Sequence, residues 1–99
     1  MSDVTTGLDA RALELIRKVL AAHPEVSRVV LFGSRAKGTA SPSLDIDLAL
    51  EGVDDPLRAE AIASELEALP LPYRFDVHAL SAIRSAALRE HIERVGIDL

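Results

Sequence analysis

Two aspartates one residue apart, Asp45 and Asp47, head an apolar run that continues through Leu48, Ala49 and Leu50. In an extended strand alternate residues point the same way, so both carboxylates project from one face, with Cα atoms about 6.5–7 Å apart. Two like charges on one face repel each other, and a divalent cation held between them removes the repulsion. Ahead of the pair, Gly33-Ser34 closes another apolar run, Val29-Val30-Leu31-Phe32, and opens a small basic loop, Arg35-Ala36-Lys37-Gly38. Backbone N–H groups, a hydroxyl and positive charge are what a polyphosphate binds. Leu31 to Leu50 therefore reads as a phosphate loop facing a metal-binding acid pair.

The order Gly33-Ser34, then the ten residues Arg35 to Leu44, then Asp45-Ile46-Asp47 resembles the signature of the polymerase β-type nucleotidyltransferase superfamily. The surrounding wording, GSRAKG and DIDLAL, most resembles the minimal nucleotidyltransferases, small prokaryotic proteins often paired with a HEPN-family toxin. The resemblance covers most of the chain. It implies transfer of a nucleoside monophosphate from ATP or another NTP to a hydroxyl, with two Mg²⁺ ions steadying the attacking and leaving oxygens. It assigns Asp45, Asp47 and Asp76 as catalytic, metal-holding acids, Asp76 being the one acid within the third strand-like run. It assigns Gly33, Ser34 and Arg35 to the triphosphate. It further implies a HEPN-family toxin as partner and acceptor. The residue before the acid pair is Leu44, where this family often has Ser, which bears on hydrogen bonding around the acids and not on the acids themselves.

Plainer readings stand beside these. Asp76 on a strand can simply pair with Arg74 or Arg28; Gly33 can be a turn glycine and Ser34 a cap; Arg35 and Lys37 can be solvated loop charges. His23 reads as a helix-end residue beside Pro24, and His91, between Glu90 and Glu93, as a surface residue. His78 shares a strand face with Asp76, two residues on, and so can line the same site. The three histidines lack zinc-ligand spacing.

The elements that must position these groups follow from periodicity. Leu8, Ala12, Leu15, Ile16, Val19 and Leu20 repeat at helical steps, with Thr6 or Asp9 as cap and His23-Pro24 as the end; residues 1–7 read as a loose terminus. Val26 to Phe32 reads as a buried strand, Asp45 to about Leu50 as a second and Tyr73 to Leu80 as a third. Pro56 opens a helix to about Leu69, capped by Asp54 or Asp55. A last helix runs to about Val95, capped by Ser81 and ended by Gly96. Its alanines, Ala82, Ala86 and Ala87, read as core or as a flat docking face. The order α-β-β-α-β-α gives one α/β domain with a small sheet flanked by helices; that the sheet is mixed is implied only by the resemblance.

Composition narrows the function classes. Ninety-nine residues, 48% hydrophobic, suffice for one core. There is no cysteine, which excludes disulfides and thiolate metal sites and suits a cytoplasmic protein. No apolar run approaches a membrane span. A net charge of −5 and only three aromatic residues argue against broad nucleic-acid binding. Larger relatives carry acceptor-binding domains for which no residues remain here, so the acceptor is expected to be another protein. The alternative is a non-catalytic module that binds nucleotide or its partner and acts by contact. Pairing with a second copy stays open.

Overall fold

A computed structural model of the chain describes residues 10–33 and 45–99. Helix α1 (Ala10–Ala21) buries the stripe Ala12, Leu13, Ile16 and Leu20; Thr6, Leu8 and Asp9 lie outside the described residues. Strand β1 (Arg28–Phe32) begins two residues later than the hydrophobic run, and β2 (Asp45–Glu51) starts at the acid pair. Helix α2 (Pro56–Glu67) is capped by Asp55, whose carboxylate accepts from the Leu57 N–H, with Pro at the start where its missing N–H costs nothing. Strand β3 (Arg74–Ala79) follows, then a single 3₁₀ turn (Leu80–Ala82) and helix α3 (Ala86–Val95).

Two expectations at the C-terminal end are corrected. The cap of α3 is Ser85, whose Oγ accepts from the Leu88 N–H. Ser81 instead lies in the 3₁₀ turn and donates to Asp54 Oδ1 at 2.8 Å. Beyond Gly96 the chain adds a two-residue strand, β4 (Ile97–Asp98), which the sequence pattern does not reveal.

The sheet order is β3-β2-β1-β4. β1 runs antiparallel to β2 and to β4, while β2 and β3 are parallel, so the sheet is mixed. The parallel pair needs a crossover, which α2 supplies. Period two then sorts the strands' side chains between two layers. On one face Leu31, Ile46, Leu48, Leu50, Phe75 and Ala79 pack with Leu13, Ile16 and Leu20 of α1 and Ile62 and Leu66 of α2. On the other face Val30, Phe32 and Ala49 pack with Ile83 and with Ile92 of α3. The first cluster is the main core. The second is smaller, which leaves part of that face for polar residues. Of the last helix only Ile92 is buried; Ala82, Ala86 and Ala87 are exposed, so the alanines are not core. No helix among the described residues is long and apolar enough to cross a membrane.

Candidate active site

The incompletely covered face carries the acids. Asp45 and Asp47 alternate with buried Ile46 and Leu48 on β2, which turns both carboxylates away from the main core. In the parallel ladder Asp47 is directly opposite Asp76, and Asp45 opposite Arg74. On the other side of β2, Asp47 is opposite Phe32 at the end of β1. Phe32, Asp47 and Asp76 thus form one row across three strands, with Asp45 and Arg74 in the row in front of it. Asp76 faces its partners, and Arg28, a competing partner in the sequence reading, is instead engaged with Asp98 at 3.0 Å.

Gly33 closes the row. It follows Phe32 directly and has φ +83°, in the left-handed region where a side chain is strained. A β-carbon there would also run into the Asp47 carboxylate, with the Asp47 Cγ at 3.2 Å. The glycine is therefore required twice, by the turn and by the close approach of the loop backbone to the acid. Ser34, Arg35 and Lys37 lie outside the described residues.

The electrostatics follow from this packing. Burial first, then the charges of Asp76 and Asp45, push the Asp47 carboxyl above its usual range, and His78 and His91 act in the opposite direction. Asp47 is half-buried, whereas Asp45 and Asp76 are exposed. His78 on β3 brings Nε2 to 3.2 Å from Asp76 Oδ2. His91 is half-buried, not a surface residue: its ring meets Phe32 edge-on, centroids 6.4 Å apart. Its position beside Ile92, three residues after Leu88, was the available signal, since both flank the apolar stripe of α3. His23 sits elsewhere, its Nε2 3.0 Å from Glu65 Oε1.

Three carboxylates, one of them pushed toward protonation by burial and then by its neighbours, form a hard oxygen donor set short of positive charge, which fits a hard divalent cation. As the side chains lie, no group of three or more His, Asp or Glu among the described residues is close enough to enclose an ion. The fit therefore rests on the chemistry and register of the donors.

Residues 14–99 match the family model described as Polymerase beta, Nucleotidyltransferase. The chain belongs to the polymerase β-type nucleotidyltransferases. Solved structures of similar fold agree. A chain assigned as a minimal nucleotidyltransferase is 30% identical to this nucleotidyltransferase, with a TM-score of 0.69 over 93% of this chain and 97% of that one. A mutant of the MntA-HepT toxin–antitoxin complex contains a chain 26% identical, with a TM-score of 0.70 over 93% and 72% of the two chains. A toxin–antitoxin structure determined with AMP-PNP gives 27% identity and a TM-score of 0.70 over 86% and 69%. No curated protein sequence matches the nucleotidyltransferase.

Proposed function

We propose that this nucleotidyltransferase transfers AMP from ATP to a hydroxyl group of a partner protein, and that the partner is a HEPN-family toxin which it silences. The observation that carries the reading is the row Gly33–Asp47–Asp76, in which a loop backbone and two carboxylates from adjacent parallel strands meet on one half-covered face. Similarity to chains from toxin–antitoxin complexes, one of them determined with AMP-PNP, supports the partner and the nucleotide.

In the reaction the acceptor oxygen forms a bond to the α-phosphorus, the bond from that phosphorus to the β-bridging oxygen breaks, and pyrophosphate leaves. Asp45, Asp47 and Asp76 would hold Mg²⁺, which when bound would stabilise the negative charge on the attacking and leaving oxygens. Gly33 and Ser34 cradle the β- and γ-phosphates, with Arg35 assisting. Asp76, the more exposed of the paired acids, helps remove the acceptor's hydroxyl proton. Asp47, packed under Gly33, fixes the depth of the site.

The test is incubation of the protein with α-labelled ATP, Mg²⁺ and a candidate HEPN-family partner. Label on the partner that is lost in the Asp45→Asn/Asp47→Asn double variant supports the reading. An unlabelled partner that is nevertheless inhibited equally by both forms would show action by contact alone.

A further inference from the structure

The row directly behind the acids contains Val30, Ala49 and His78, on β1, β2 and β3 respectively. β1 and β3 are both neighbours of β2, so their backbones are about 9.5 Å apart. The rings of Phe32 and His78 nevertheless approach to 5.9 Å between centroids, tilted at 50°. They can do so only by leaning toward each other over β2. Ala49, wholly buried and opposite His78, leaves the room for this because it carries only a methyl group. The two rings form an arch from Phe32, opposite Asp47 in the acid row, to His78 in the row behind it. The far end of the arch is the His78 Nε2, 3.2 Å from Asp76 Oδ2. Asp76 is itself 64% exposed, and among the described residues this is the one side-chain contact recorded for its carboxylate. An exposed aspartate on a strand otherwise has several rotamers open to it.

We infer that His78 is a positioning residue: held by Phe32 over Ala49, it restricts the Asp76 carboxylate to the acid face of the sheet, where a cation shared with Asp47 would meet it. The inference rests on the catalytic reading above and assigns the imidazole no role in moving the reaction's proton. Residues that orient metal-holding carboxylates typically matter about 10–100-fold in metal affinity or activity.

Two substitutions separate the nitrogen from the ring. His78→Phe keeps the packing on Phe32 and loses the nitrogen; His78→Gln loses the ring and keeps a nitrogen donor at similar reach. Mn²⁺ binding, read from loss of the free-ion paramagnetic resonance signal, and thermal melting are measured on wild type, both variants and Asp45→Asn/Asp47→Asn. The expected result is Mn²⁺ affinity lowered about tenfold or more in His78→Phe with an unchanged melting temperature, and within about threefold of wild type in His78→Gln. Equal affinity in His78→Phe and wild type overturns the positioning role while leaving the acid site intact. Equal losses in both variants also overturn it, since the ring would then be acting only as packing. A wild-type protein that binds Mn²⁺ no better than the double aspartate variant overturns the catalytic reading and this inference with it.

Discussion

Gly33→Ala offers a direct measure of how tightly the loop backbone is packed on the acid row. Two costs are separable. The first is backbone: at φ +83° an alanine is in the left-handed region, a cost of about 1–2 kcal/mol. The second is the collision of the new β-carbon with the Asp47 carboxylate, which must rotate off its preferred rotamer at about 0.5–1.5 kcal/mol. In an Asp47→Ala background only the second cost disappears, because the remaining Asp47 Cβ is 3.5 Å from the new carbon, an ordinary contact. A double-mutant cycle by urea unfolding of the metal-free protein should therefore show Gly33→Ala costing about 1.5–3.5 kcal/mol alone and about 1–2 kcal/mol with Asp47→Ala. The coupling between the sites is then about 0.5–1.5 kcal/mol. For a domain of this size the single variant would melt lower by about 6–28 °C, taking about 4–8 °C per kcal/mol. Equal costs in the two backgrounds would refute the argument, because the loop backbone would then not rest on the carboxylate.

Asp47→Asn should stabilise the metal-free protein at neutral pH. A carboxyl pushed upward on folding contributes stability that is present below its ordinary value of 3.8 and is lost as pH climbs through the raised value. Asparagine has no such loss, so the advantage of Asp47→Asn should grow as pH rises from about 4 to 7, followed by urea unfolding in chelator; an advantage that does not vary with pH would contradict the shift. Ser85→Ala should cost about 1 kcal/mol through the lost cap on α3, while Ser81→Ala, which removes one exposed contact to Asp54, should cost less than about 0.5 kcal/mol; thermal melting of the two single variants decides which serine starts the helix.

Much of the fold was legible because the signals were local. The alternation Asp45-Ile46-Asp47-Leu48 settles which face of β2 carries the acids, and the proline after Asp55 settles where α2 begins. Asp76 was legible as the acid of the third strand, but its register opposite Asp47 depends on how the α2 crossover seats β3 against β2, which no local pattern encodes. The sequence reading puts the cap of the last helix at Ser81; the 3₁₀ turn after β3 delays the helix and moves the cap four residues on, to Ser85. β4 is only two residues long and exists because β1 offers an edge to pair with. The surface reading of His91 and the core reading of Ala86 and Ala87 failed for one common reason. The orientation of α3 is set by Ile92 docking beside Phe32 and Val30, and that docking turns Ala86 and Ala87 outward and His91 toward the acid face, while Ala82 lies ahead of the helix in the 3₁₀ turn. Gly33 was legible as a turn glycine, whereas its contact with Asp47 is a tertiary fact.

The central claim is that Asp47 and Asp76 together hold cations beside a nucleotide resting on Gly33. Anomalous diffraction from crystals grown with Mn²⁺ and a non-hydrolysable ATP analogue tests it most directly. The account predicts density for at least one ion within about 2.0–2.3 Å of carboxylate oxygens from both Asp47 and Asp76, with the triphosphate against the Gly33 backbone. A nucleotide bound away from Gly33, or ions that bypass the Asp47–Asp76 row, would contradict it.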